Sequence, residues 1–242
     1  MEEIEETKLA PGLYIVATPI GNLSDITLRA LAVLKNCDLI VCEDTRRTSL
    51  LLQHYNIGYK KLLSYHDYNK STRTPEIINL LKEGRSAALV SDSGTPGISD
   101  PGFYLIRECV REKINLIPIP GPSAIITALV VSGLPCDRFV YEGFLAHRSG
   151  RKKKKLLSLV NEERTMVFYE APTRVLATLK LILEIFGERE CVVGRELTKK
   201  FEEVIRGKVS EVIKKLEERN RIKGEIVIIL EGKKRKFKSG GS

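Results

Sequence analysis

SAALVSDSGTPGISDPG, residues 86–102, sets a short, nearly continuous apolar run against a long loop rich in Gly and Pro. An apolar run without polar alternation suits a strand covered on both faces, as in a parallel sheet. The loop at 91–102 carries three glycines and two prolines. Such a composition fixes a tight path and lets backbone approach a ligand closely. Asp92, Ser93, Thr95, Ser99 and Asp100 are left to offer hydrogen bonds. In an open α/β sheet, ligands bind beyond the carboxyl ends of the strands, so the loop reads as a binding element rather than a plain turn.

Working outward, the runs 13–18, 38–43 and 115–119 repeat the strand pattern, with amphipathic stretches between them. One helix is expected to begin near Ser24 or Asp25 and another near Asp44 or Thr45. A third has Thr74 as N-cap, Pro75 at its first position and Gly84 just past its end. This alternation predicts a doubly wound, mainly parallel sheet.

After PIPGP at 118–122 the texture changes. A helix is expected over 123–132, strands near 138–143, 165–170, 191–196, 202–206 and 225–231, and long helices over 172–186 and 210–220. The runs either side of Lys199 and Lys200 pair as a hairpin in this reading, which makes the second sheet mixed. The expected organisation is an N-terminal α/β domain over 1–120, a C-terminal α/β domain over 121–232 and a basic, flexible tail over 233–242 ending in SGGS.

Composition narrows the class. With 43% hydrophobic and 29% charged residues the chain is that of a globular protein. Its longest apolar stretch, 124–131, falls far short of the roughly 18 residues of a membrane span, and the acidic opening lacks the basic start of a signal peptide. A cytoplasmic protein with no membrane contact is therefore expected. Five cysteines without a C-x-x-C pair read as reduced core thiols, and no metal site is expected. The net charge of +9 is the electrostatic footprint of a phosphate-rich partner. It is concentrated at Arg148 with 151–155, and again at 233–238. The stretch HRSGRKKKK at 147–155 reads as a flexible arm that touches phosphates without reading sequence.

The common nucleotide fingerprints G-x-G-x-x-G and Walker A are missing, as is the zinc motif H-E-x-x-H. That argues against ordinary dehydrogenases and phosphoryl-transfer enzymes.

SDSGTPGISDPG resembles the signature of the bacterial small-subunit ribosomal RNA methyltransferase I family, the cytidine 2′-O-methylating branch of the tetrapyrrole methylase superfamily. The resemblance extends through LYIVATPIGNLSDITLRAL (13–31), CEDTRRT (42–48), PGPSA (120–124), FYEAPTR (168–174) and GRELTK (194–199). Two departures are visible. Ser93 stands where the family more often has Ala, and Tyr68 of SYHDYN stands where it more often has a second His. The resemblance implies a two-domain tetrapyrrole-methylase-like (class III) methyltransferase fold, a homodimer, and S-adenosylmethionine held folded in the cleft between the domains. Cofactor contacts carry over to Pro19, Gly21, Asp92, Thr95, Ser123 and Ala124, and beyond them to Tyr169, Leu197 and Gly224.

Methyl transfer to a ribose hydroxyl requires in-line alignment and a base for a poorly acidic proton. Glu43, Asp44, His66 and Glu170 are the candidate bases. Each has a structural alternative: Asp44 as a helix cap, His66 as a loop anchor, Glu170 as the partner of Arg174 four residues on. Arg46, Arg47, Arg148, Arg151, Lys152, Lys153, Arg174 and Arg195 are the candidate RNA contacts. Arginine grips phosphate bidentately and stacks on unpaired bases. The implied partner is small-subunit ribosomal RNA or the assembled small subunit. Two alternatives remain at this point: a tetrapyrrole C-methyltransferase of corrinoid synthesis, and a non-catalytic ribosome-binding factor of the same fold.

Overall fold

The computed structural model describes residues 8–234. The acidic opening and most of the expected basic tail lie outside these residues. The chain divides into two compact units, the first ending at Ser123 and the second beginning at Ala124, three residues beyond the boundary expected from composition.

The first unit runs β1 (Gly12–Val16), α1 (Leu28–Asn36), β2 (Leu39–Cys42), α2 (Thr45–His54), β3 (Leu62–Ser64), α3 (Lys70–Lys82), β4 (Ser86–Val90), α4 (Gly102–Arg111) and β5 (Leu116–Ile119). Its sheet has the order β3-β2-β4-β1-β5, and every pairing is parallel. The chain steps one way from β1 to β3 and back the other way to β5. Right-handed crossovers then send α1 and α2 to one face and α3 and α4 to the other. The packing agrees: Leu34 and Leu52 join Tyr14, Ile40 and Val90 in one core, while Ile77 and Leu105 join Leu13, Val41 and Leu89 in a second. Successive strand residues feed opposite cores, which is why these strands are apolar without alternation.

Three sequence expectations are corrected here. The helix expected from Ser24 or Asp25 is a single 3-10 turn, Leu23–Asp25, and α1 begins only at Leu28 with Thr27 as its cap. The helix expected to be capped by Thr74 already starts at Lys70, which puts Pro75 inside it. Thr74 there bonds the carbonyl of Lys70 at 2.6 Å and the Tyr65 hydroxyl at 3.0 Å, so its side chain turns back along the helix rather than capping a new one. The third correction concerns the basic stretch of the second unit.

That unit runs α5 (Ala124–Val130), β6 (Phe139–Phe144), α6 (Ser149–Ser158), β7 (Thr165–Glu170), α7 (Val175–Phe186), β8 (Glu190–Arg195), β9 (Glu203–Lys208), α8 (Val209–Glu217) and β10 (Ile226–Leu230). The sheet order is β6-β7-β10-β8-β9, with β6 and β7 parallel and the remaining pairs antiparallel. Ile125 and Leu129 of α5 pack on Val167, Val192 and Val227 on one face. On the other face, Leu156, Leu179 and Val212 of α6, α7 and α8 pack on Phe168, Val193 and Ile228. The expected flexible arm is thus the body of α6. Lysine is a good helix former, and Lys152 and Leu156, one turn apart, are both buried.

Candidate active site

In the first unit the candidate residues gather at the carboxyl edge of the sheet. β2 and β4 are neighbours, yet α2 packs on one face and α4 on the other. Chains leaving adjacent strands toward opposite faces open a crevice at their ends. Asp92, just beyond β4, spans it. Its Oδ1 accepts from the backbone N–H of Asp44 at 3.2 Å, and its Oδ2 lies 3.2 Å from Arg47 Nη1.

The loops after β1 and β4 are locked together. Thr18 and Gly94 exchange two backbone hydrogen bonds of 2.9 Å, and Thr18 Oγ1 donates to the carbonyl of Ser91 at 3.0 Å. Gly94 holds φ of 80° to make this bridge, a conformation costly for any residue with a Cβ. Thr95 Oγ1 donates to the Pro122 carbonyl at 3.3 Å, so the signature loop is also fastened to the segment that carries Ser123. Asp100 accepts from the N–H groups of Gly97 and Gly102, each at 2.7 Å, and closes the loop on itself. A cavity of about 260 Å³ opens beside these loops, and its walls include Pro19, Gly21, Arg47 and Asp92. Leu23, Leu50 and Leu51 also line it, although motif reading did not single them out. Leu50 is 67% exposed, yet the run Leu50-Leu51-Leu52 carries no mark that separates it from buried Leu52.

The four candidate bases separate. Asp44 Oδ1 accepts from Arg46 N–H at 2.8 Å and caps α2, as its structural alternative held. His66 lies 3.2 Å through Nε2 from the Asn69 side chain, and its Nδ1 is buried with no partner among the described residues. Glu43 is exposed as a residue, but partial burial of its carboxyl, reinforced by the negative charges of Asp92, Asp100 and Asp67, raises its pKa. Arg47 works in the opposite direction.

Glu170 is corrected as a base. The alternation of β7 sends Tyr169 toward α5 and Glu170 to the other face, where it is only 2% exposed. There it meets Lys152 Nζ at 3.2 Å, Thr178 Oγ1 at 2.6 Å, the N–H of Ala171 at 2.8 Å and Arg174 Nη2 at 2.7 Å. A carboxylate so enclosed has no path to a hydroxyl arriving from solvent.

The same cluster corrects one candidate RNA contact, Lys152, which points into it, whereas Arg174 enters it through Nη2 and leaves Nε and Nη1 without a partner among the described residues. Arg195 is likewise engaged, with Glu203 at 3.1 Å and the carbonyl of Lys223 at 3.2 Å. Arg46, Arg148 and Arg151 are exposed, as is Lys153, which pairs with Glu184 at 2.7 Å.

Within the second unit the structure does bring Ala124, Tyr169 and Leu197 together, in the apolar layer that α5 makes with the sheet. Strand register explains the rest. Ile226 pairs with both Glu170 and Arg195, so the ends of β7 and β8 and the start of β10 share one edge, and Gly224 lies two residues before it. Gly224 holds φ of 93°, and a Cβ there would run into the Glu196 side chain. Glu196 and Thr198, flanking Leu197, also hold positive φ. Such strain concentrates at functional sites, and no residue type in the motif signalled it.

Comparison with known proteins agrees with this architecture. The model of the family described as Tetrapyrrole (Corrin/Porphyrin) Methylases matches residues 12–213. A ribosomal RNA small subunit methyltransferase I from Thermotoga maritima is 52% identical over 222 residues, covering 91% of this chain and 98% of that protein. Its counterpart from Escherichia coli O157:H7 is 49% identical over 224 residues, covering 92% and 78%. Among solved structures, a cobalt precorrin-4 methyltransferase superposes with a TM-score of 0.66 at 16% identity, covering 90% of this chain and 94% of that one. At that identity the likeness concerns the fold alone. The chain belongs to the tetrapyrrole methylase family and, within it, to the group of ribosomal RNA small subunit methyltransferase I.

Proposed function

We propose that the protein transfers a methyl group from S-adenosylmethionine to the ribose 2′-oxygen of a cytidine in small-subunit ribosomal RNA. The observation that carries this reading is the carboxyl edge of the first sheet, where two locked Gly/Pro loops and Asp92 adjoin the exposed Glu43. Relatives about half identical over nine-tenths of the chain, named for that RNA, give the substrate class.

The residues fit the cofactor. S-adenosylmethionine supplies an activated methyl group on a sulfonium cation. Glu43, Asp67, Asp92 and Asp100 concentrate negative charge around the signature loop, which adds to burial in raising the pKa of Glu43, and a cation is welcome there. Pro19, Gly21, Asp92, Thr95 and Ser123 hold it in this reading. Backbone groups of Gly/Pro loops suit adenine, ribose and the methionine termini.

Glu43 takes the hydroxyl proton. A carboxylate with a raised pKa is a stronger base than an ordinary one, and a positioned base contributes roughly 10²–10⁴-fold. Arg46 and Arg47 on α2, and Arg148 and Arg151 on or beside α6, grip phosphates. The RNA itself or the assembled subunit is the partner, a homodimer the working form and the cytoplasm the location, following the family pattern. Among the described residues no helix is long and apolar enough to cross a membrane.

The test is methylation of small-subunit RNA by purified protein with labelled S-adenosylmethionine, followed by mass mapping of nucleosides. One methyl group on a cytidine ribose is expected. Label on a base, or on uroporphyrinogen in place of RNA, would overturn the reading.

A further inference from the structure

We propose that the start of α4 and the loop before α3 form a stacking platform for unpaired nucleotides of the substrate RNA, separate from the cofactor loops. The proposal rests on the RNA reading above.

The sequence leaves large aromatic rings in water here. Tyr68 is 97% exposed and Phe103 60% exposed. Phe103 and Arg107 sit one turn apart on the solvent side of α4, opposite Leu105 and Cys109, which belong to the core. The rings are not isolated. The Arg107 guanidinium lies 5.0 Å from the centre of the Tyr104 ring and 6.0 Å from that of Phe103. Lys70, at the start of α3, lies 5.9 Å from the Tyr104 ring on its Nζ and holds Asp67, the neighbour of Tyr68, at 2.7 Å. A continuous row therefore runs from the Tyr68 loop across Lys70, Tyr104 and Arg107 to Phe103.

Scattered exposed apolar residues are ordinary, but rings alternating with cations are the chemistry of single-strand recognition. Each base offers a face to a ring or a guanidinium plane, and each phosphate a partner to a cation. The ion pairs that Lys70 and Arg107 make with Asp67 and Glu108 are on the surface, where such pairs are weak and exchange readily for phosphate. Place supports the assignment. α4 follows the signature loop directly, and Tyr68 follows β3, the strand beside β2. The platform thus borders the edge that carries Glu43 and Asp92, where strand flanking a target nucleotide has to pass.

Replacing both Tyr68 and Phe103 by Leu keeps apolar bulk and removes the rings. Binding of small-subunit RNA and of a polyuridine strand should weaken roughly tenfold or more per ring lost, with S-adenosylmethionine affinity unchanged. Replacing them by Phe and Tyr respectively should preserve RNA binding. Leu variants that bind both RNAs as tightly as the parent would overturn the platform alone. So would a loss confined to intact subunits, which points to a protein partner, or a change of oligomeric state, which points to a second copy of this chain. A parent protein that bound no small-subunit RNA would overturn both the platform and the function on which it rests.

Discussion

Lys152 Nζ lies 3.2 Å from the Glu170 carboxylate, with the lysine side chain 8% exposed and the glutamate side chain fully buried. Thr178 bonds both, at 2.6 Å each, and Arg174 closes the cluster from the start of α7. α6, α7 and β7 are thereby joined by a buried charge network within the second unit. Removing a member of a buried pair costs about 3–5 kcal/mol when it strands a charge away from water, and Arg174, which still faces Glu170 when Lys152 is gone, makes that range an upper bound here. Lys152→Ala should lower the unfolding free energy by up to that amount, read as a fall in the urea midpoint at unchanged slope. A variant with unchanged stability would show that the pair is not formed.

That lysine is also a residue whose place the sequence does not disclose. The strands 86–90 and 165–170 were legible because burial on two faces leaves no room for polar residues. The signature loop was legible because Gly94 answers a backbone need that only its residue type satisfies easily. In RKKKK, by contrast, four identical side chains carry no mark of which one faces inward. Only the spacing to Leu156 hinted at Lys152. Glu170 looked available because its partners come from α6 and α7, and their approach to β7 is decided by tertiary packing. The helix start at Thr74 was misplaced for a related reason: Thr-Pro has the local chemistry of a cap, but packing under Tyr65 overrode it.

Asp92 joins the loop after β4 to α2 through Asp44 N–H and Arg47. Asp92→Ala removes one charge-assisted hydrogen bond, one ion pair and one negative charge beside the proposed cofactor site. In the proposed site Asp92 also accepts one hydrogen bond from the cofactor, which to a charged group is worth about 1.5–3 kcal/mol, so S-adenosylmethionine affinity should fall roughly 10–100-fold. RNA affinity should remain close to that of the parent. Calorimetric titration of each ligand tests this, and equal losses in a folded variant would remove Asp92 from the cofactor side.

Glu43 has a pKa raised first by burial of its carboxyl and then by Asp92, Asp100 and Asp67. If it is the base, the acid limb of the kcat profile lies above the usual carboxylate range, and Glu43→Gln abolishes that limb together with most of the rate. Stability moves the opposite way. A group that binds its proton more tightly when folded adds stability below its unfolded pKa and loses that contribution as pH rises through the raised value. Glu43→Gln should therefore flatten the decline in stability across the window just above the usual glutamate pKa. Unfolding curves at a series of pH values read this directly.

Thiol labelling checks the packing of both units independently of function. Cys136 is exposed, whereas the other four cysteines are buried. Burial pushes Cys37 up to about 11 and Cys109 and Cys191 up to about 12, and raises Cys42 as well. Thiolate is the reactive form, so native protein at pH 8 should alkylate rapidly at Cys136 alone and at all five after denaturation. Fast native labelling of Cys109 or Cys191 would contradict the packing.

The cations of α6 divide by where they point. Lys153 and Lys155 pair with Glu184 and Glu142, and Lys152 is buried. Arg151 and Lys154 are exposed, and neither side chain pairs with an acid among the described residues. They sit three apart, on one side of the helix, at a spacing that can meet a single run of phosphates. Each phosphate contact contributes about 0.7–0.9 to the slope of log affinity against log salt. Replacing Arg151 and Lys154 by Ala should therefore flatten that slope by roughly 1.4–1.8, without altering S-adenosylmethionine affinity or the urea midpoint. Replacing Lys152 should do the reverse, lowering the midpoint while a variant still folded keeps its salt slope. An RNA-affinity series from low to moderate salt separates the two. An unchanged slope in the Arg151 and Lys154 variant would leave α6 as a solvated helix with no part in holding RNA.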